Sequence, residues 1–162
     1  MVGQDVLGEA AALLDLLRGR GLVAATAESC TGGLIAAALT SVGGSSDVFA
    51  CGFVTYSNEA KATMLGVPAA LIAAGGAVSE AVALRMAEGA LERSEAAVAV
   101  AVTGIAGPGG GSEEKPVGLV WFGAARRGGT AWAERQVFTG DRTAVREAAV
   151  RHALDVLRRL AG

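Results

Sequence analysis

The sequence predicts a three-layer α/β/α domain built on a mixed β-sheet. Three observations lead there. Strand-like and helix-like segments alternate from Leu22 to Leu91. Residues 96–102 form an unbroken apolar run, as expected of a central strand covered on both faces. Residues 117–125 and 130–138 are strand-like and flank Arg126-Arg127-Gly128-Gly129, the mark of an antiparallel hairpin. Parallel strands joined by helices, followed by an antiparallel pair, make a mixed sheet.

Each element has its own warrant. Residues 2–18 carry apolar side chains at Val6, Leu7, Ala10, Leu13, Leu14 and Leu17, a helical period that Gly19 and Gly21 end. Residues 22–27 read as a buried strand, 31–39 as a small-residue helix and 43–46 as a loop. Residues 49–56 read as a second strand. Ser57 opens a helix that reaches Leu65 and is stopped by Gly66 and Pro68; a short helix follows over 68–74. Ser79 with Glu80 marks the start of another, ending near Leu91, and Asp141 caps the last, which runs to Leu160. With no linker, repeat or low-complexity tract, residues 1–162 read as one domain, a length that suits a single core.

Composition narrows the function classes. Aromatic residues make up 4% of a chain that is 52% hydrophobic, so the core must be aliphatic. A formal net charge of −2 gives no electrostatic footprint for nucleic acid. Two cysteines and one histidine, His152, supply no metal-ligand set, so no metal is expected. No positive region leads an apolar signal segment, and no apolar stretch of spanning length escapes glycine or charge. A cytoplasmic, membrane-free protein is expected.

The chemistry-bearing residues gather at predicted strand ends. In Thr26-Ala27-Glu28-Ser29-Cys30-Thr31-Gly32-Gly33, a hydroxyl and two glycines sit where a strand yields to a helix, the way a fold presents a nucleophile. Ser29 is the first candidate; its plainer reading is a helix N-cap. A serine needs a base, and His152 lies far along the chain in a helix pattern. Lys61 is the substitute, provided its surroundings lower its pKa. Tyr56, five residues earlier, can converge on the same point or be a strand residue with a wet hydroxyl. Ser46, in the turn Gly43-Gly44-Ser45-Ser46, is the alternative nucleophile. After the central strand comes Thr103-Gly104-Ile105-Ala106-Gly107-Pro108 with a glycine tail. Its amides can approach a phosphate or oxyanion, or it is a flexible surface loop. Arg142, opening the last helix, can pair with a phosphate or be a surface arginine.

These stretches together resemble the CinA C-terminal domain family. TAESCTGG (26–33), GSS (44–46), GFVTYSNEAK (52–61), LGV (65–67), GAVSE (76–80), TGIAGPGGGSEEKPVG (103–118) and FTGDR (138–142) run in family order over nearly the whole chain. The resemblance implies hydrolysis of the carboxamide of nicotinamide mononucleotide to nicotinate mononucleotide and ammonia, without metal or organic cofactor. It does not carry over the N-terminal nucleotide-processing domain of longer members. On this reading Ser29 attacks, Lys61 is the base, and Tyr56 and Thr103 complete the proton network, with Ser46 the other nucleophile. Amides near Cys30 or the Ser45-Ser46 turn would hold the oxyanion. Glu28, Cys30, Thr31, Gly32, Ser45, Gly104, Gly107 and Arg142 would contact substrate. The alternatives are a non-catalytic module that binds a pyridine nucleotide, or an adaptor in which the motifs serve turns and caps. An alanine-rich, aromatic-poor domain of this size is also expected to bury helix faces in a homodimer or higher homo-oligomer.

Overall fold

A computed structural model describes residues 2–162. Among them five strands form one sheet: β1 (Ala24–Glu28), β2 (Phe49–Val54), β3 (Val98–Gly104), β4 (Leu119–Arg126) and β5 (Ala131–Val137). Their order across it is β2-β1-β3-β4-β5. β1 pairs in parallel with both β2 and β3, and the β3-β4 and β4-β5 pairs are antiparallel. The mixed sheet expected from the hairpin at 126–129 is present. The helices are α1 (Gln4–Arg20), α2 (Leu34–Thr40), α3 (Asn58–Leu65), α4 (Ala69–Gly75), α5 (Glu80–Glu92) and α6 (Arg142–Ala161).

Strand alternation sorts the helices onto two faces. In β3, Val98, Val100 and Val102 join one core cluster with Leu13, Leu14 and Leu17 of α1, Ile35 and Leu39 of α2, and Leu157 and Leu160 of α6. Ala99 and Ala101 face the other way and join Val82, Met86 and Ala90 of α5 with Leu65 of α3. The large side chains thus set one helix layer at a distance, while the small ones let α5 come close. At Gly123, opposite Ala101 on β4, an added Cβ would lie 2.0 Å from the Ala83 carbonyl oxygen.

Two local readings are corrected. The helix expected from residue 31 begins at Leu34, because Gly32 and Gly33 take positive φ of 58° and 99° and hold the chain in a turn. The segment expected as a plain loop at 43–46 includes a 3-10 turn, Ser45–Asp47, packed at the start of β2.

The chain leaves β1 into α2 on one face and leaves β2 into α3 on the other. The carboxyl ends of β1 and β2 therefore diverge, which opens a crevice there. Residues 29–33, 55–61 and 104–118 all follow strand ends on that edge.

Gly123→Ala is expected to destabilise the protein by about 1–3 kcal/mol, since α5 must move off the sheet. Gly8→Ala, in α1 with nothing within 4 Å of the new methyl group, is expected to stabilise it by about 0.5–1 kcal/mol. Guanidinium titrations of the two variants check both signs.

Candidate active site

Main-chain bonds on two sides fix the end of β1. Glu28 O accepts from Thr55 N at 2.8 Å, and Ser29 N donates to Val102 O at 2.9 Å. The chain then turns back, with Gly32 N donating to Ser29 O at 3.0 Å. Ser29 is 8% exposed. It is not a helix cap; the N-cap of α2 is Gly33, which has no side chain to offer. Glu28 supplies what Gly33 lacks. Its buried carboxylate accepts from Ile35 N (2.9 Å), Ala36 N (3.0 Å) and Thr31 Oγ1 (2.7 Å), satisfying the free amides of the first helical turn.

Lys61 meets Ser29 from α3. Ser57 caps that helix by accepting from Ala60 N at 3.0 Å, which starts the helix directly after β2 and sends the lysine back under the strand end. Lys61 is 1% exposed. Its Nζ lies 3.1 Å from Ser29 Oγ, 2.9 Å from Thr55 O and 3.3 Å from Tyr56 O. It makes no ion pair among the described residues. Burial therefore pushes its pKa below the ordinary lysine value, opposed by the nearby Cys30 thiol. As an ammonium Lys61 donates to all three; as a neutral amine its two N–H groups go to the carbonyls and its lone pair to the Ser29 hydroxyl.

The dyad opens into a cavity of about 280 Å³ lined by Tyr56, Asn58, Ala77, Thr103, Gly104, Gly107 and Arg142 among others. Thr103 is 1% exposed and donates from Oγ1 to Ala77 O at 2.9 Å, so its hydroxyl proton holds the α4–α5 connection. Tyr56 is 62% exposed. Its hydroxyl accepts from Arg142 Nη2 at 3.1 Å, and Arg142 Nη1 donates to Gly107 O at 2.7 Å. Arg142 thus bridges the β2–α3 connection and the glycine loop at the cavity mouth. Cys30 lines the cavity, but its buried thiol is pushed up to about 11 by desolvation, with the Glu28 charge adding to the rise. It stays protonated at neutral pH.

Ser29, Lys61, Tyr56, Cys30, Thr103, Gly104, Gly107 and Arg142 come together as expected. Ser45 and Ser46 do not. They lie beside the amino end of β1, where Ala24 N donates to Val48 O and Arg18 binds Asp47. Five strand residues separate that end from Ser29, roughly 17 Å at the usual rise. Ser46 therefore cannot share Lys61, and the Ser45-Ser46 turn cannot hold an oxyanion formed at Ser29. Glu28 and Thr31 face each other and the α2 amides rather than a ligand. Gly32 backs onto Arg146, 3.3 Å from where its Cβ would be. Residue-type reasoning passed over Asn58, Ala77 and Arg146. Arg146 lies four residues after Arg142 in α6, a spacing that places two arginines on one helix face.

A larger cavity, about 470 Å³, lies between Gly3–Val6 and Ala144–Arg151 and holds no serine or lysine. Among the described residues no group of three or more His, Cys, Asp or Glu side chains is placed to hold a metal ion. No described helix is long and apolar enough to cross a membrane.

Fold and site together define a doubly wound α/β domain with a buried hydroxyl–amine pair at its strand-end crevice. Residues 8–161 match the sequence profile of the CinA C-terminal domain, and the chain belongs to that family. It is 55% identical over 141 residues to the nicotinamide-nucleotide amidohydrolase PncC of Escherichia coli K12, covering 87% of this chain and 86% of that one. It is 59% identical over 153 residues to a putative competence-damage inducible protein of Symbiobacterium thermophilum, of which it spans 36%. The crystal structure of the competence/damage inducible protein CihA from Agrobacterium tumefaciens superposes with a TM-score of 0.97 at 50% identity, covering 100% of this chain and 99% of that one.

The lowered pKa of Lys61 has a stability signature. Between that value and the ordinary one near 10.4, the unfolded chain carries a proton that the folded chain lacks. Stability then rises with pH across the window, and below it the cost of burying the charge is felt in full. Denaturant titrations at several pH values are expected to show wild type gaining on Lys61→Met as pH rises, by about 1.4 kcal/mol per pKa unit of depression. A pH-independent difference would remove the buried ammonium from the account.

Proposed function

We propose that this protein hydrolyses the carboxamide of nicotinamide mononucleotide, releasing ammonia and nicotinate mononucleotide. One observation carries the mechanism: a buried lysine without a carboxylate partner, its Nζ 3.1 Å from a serine at the end of a parallel strand. The substrate class is supported by the 55% identity to the Escherichia coli amidohydrolase over most of both chains.

In this reading neutral Lys61 takes the Ser29 proton as Oγ bonds to the carboxamide carbon. The carbonyl oxygen becomes an oxyanion facing the Cys30 amide, the donor immediately after the nucleophile. Lys61 returns the proton to the departing nitrogen, the C–N bond breaks, and ammonia leaves an acyl-Ser29 ester. Water then attacks with Lys61 as base, giving the carboxylic acid and restoring both side chains. Thr103 acts by holding Ala77 and Val78 as the cavity wall. Arg142 and the amides of Ala106, Gly107, Gly109 and Gly110 take the phosphate. Tyr56, with its hydroxyl accepting from Arg142, orients that arginine.

The finer features of the protein follow the same reading. Residues 1–162 act as one domain, since both core clusters rest on one sheet. Two unpaired thiols, Cys30 and Cys51, suit the reducing cytoplasm. The chain forms a homo-oligomer through the flank of β2, α3 and α4. There Val54 and Met64 are 46% and 42% exposed, the edge strand carries no charge, and α4 is apolar throughout yet buries none of its residues.

Ser29→Ala is expected to abolish ammonia release while nicotinamide mononucleotide still raises its Tm. Wild-type kcat/KM is expected to climb with pH and level off below the ordinary lysine value. Retained turnover in Ser29→Ala would remove Ser29 as nucleophile. Arg142→Gln is expected to raise KM about 10–100-fold with kcat little changed, as for a lost charged hydrogen bond; an unaltered KM would take the phosphate elsewhere. Light scattering at micromolar concentration is expected to give a dimer or larger, and a monomer mass would refute the oligomer.

A further inference from the structure

Arg146 of α6 is spent on main chain. Its Nε donates to Cys30 O at 3.0 Å and its Nη2 to Thr31 O at 3.2 Å. The two oxygens belong to consecutive residues of the turn that follows Ser29. Arg146 makes no ion pair among the described residues. A half-buried cation without a carboxylate, held on two carbonyls 115 residues away in sequence, is poorly explained as a surface charge.

What it holds decides where the turn's amides point. A trans peptide directs its C=O and N–H to opposite edges. With the Cys30 and Thr31 carbonyls turned toward α6, the Thr31 and Gly32 amides are turned away from it. The Gly32 amide closes onto Ser29 O at 3.0 Å. The Ser29–Cys30 peptide is then fixed as well, with its carbonyl engaged by Gly32 and the Cys30 N–H on its far edge. Among the described residues that N–H donates to no other residue, with only its own thiol beside it, and Cys30 lines the cavity. The Arg146 charge also reaches this point, where it opposes the rise of the Cys30 thiol pKa.

We infer that Arg146 is a positioning residue for acyl transfer. By gripping the Cys30 and Thr31 carbonyls it aims the Cys30 amide at the oxyanion formed on Ser29. Gly32 belongs to the same device: a side chain there would crowd the guanidinium, 3.3 Å from the Cβ position. The inference rests on Ser29 as nucleophile and deepens that reading.

The test uses two substrates, so that the two readings can fail separately. One is nicotinamide mononucleotide, followed by ammonia release. The other is an alkyl fluorophosphonate: Ser29 Oγ bonds to phosphorus, the P–F bond breaks, fluoride leaves, and the proton goes to Lys61. Arg146→Met is expected to lower kcat about 10–100-fold with KM within about 3-fold, and to slow Ser29 labelling by a similar factor. Arg146→Lys, which keeps one donor on the turn, is expected to fall between the two. A kcat within about 2-fold of wild type in Arg146→Met overturns the proposal, as does a rise in KM alone, which would make Arg146 a substrate contact. If Arg146→Met does not fold, Arg146→Lys decides: a reduced kcat at unchanged KM supports the proposal, and wild-type kcat overturns it. Wild type that labels at Ser29 but releases no ammonia overturns the substrate reading alone, and the labelling rates then judge Arg146. Wild type that does neither overturns both.

Discussion

The rest of the site depends on the burial of one amine. Lys61 Nζ sits below the end of β1 with two main-chain carbonyls and one hydroxyl around it and no carboxylate. A charged ammonium there lacks the solvent and counter-charge that stabilise it, so its pKa falls below the ordinary lysine value. In its neutral form, with both hydrogens on the two carbonyls, the amine has one lone pair left for the Ser29 hydroxyl. The same desolvation that costs stability lowers the pKa of the amine beside the Ser29 hydroxyl. The two carbonyls keep the amine in register, since either one lost would leave it free to rotate away from the hydroxyl.

Holding such a pair requires the backbone around it to be stiff, and the polar groups nearby serve that end. Glu28 caps α2 across the turn because Gly33, needed for its left-handed backbone, has no side chain for the task. Ser57 starts α3 at the residue that brings Lys61 under β1. Thr103 binds the α4–α5 connection to the end of β3. Arg142 and Arg146, one turn apart on α6, grip the cavity mouth and the turn that follows Ser29. Elements from both helix layers therefore converge on one edge of the sheet. Ionisable groups that look reactive in isolation, Glu28 and Cys30, are held inert: the carboxylate by three donors and the thiol by burial.

The asymmetry of the sheet faces is part of the same design. Valines of β3 face α1 and α6, and alanines face α5, which comes close enough to touch the backbone at Gly123. A core low in aromatic residues is compatible with such close packing, because small side chains allow short helix–sheet distances without cavities. The β2 flank, by contrast, remains apolar and uncharged at its edge.

Sequence alone determined the element order, the mixed sheet, and the convergence of Ser29, Lys61, Thr103, the glycine loop and Arg142 at strand ends. Those are consequences of local signals: apolar periodicity, glycine breaks and caps act within a few residues. The resemblance to the CinA family was legible for the same reason, since its motifs are contiguous. Only the tertiary structure decided which polar residues line the cavity and which are spent on holding the backbone. Glu28 and Thr31 sit in the same motif as Ser29, yet they hold a helix. Ser46 looks as exposed a nucleophile as Ser29, but lies at the other end of β1. Arg146 carried no motif at all. Its role arises from a contact 116 residues away in sequence, and no local pattern encodes a distance set by the packing of α6 against the opposite end of the chain.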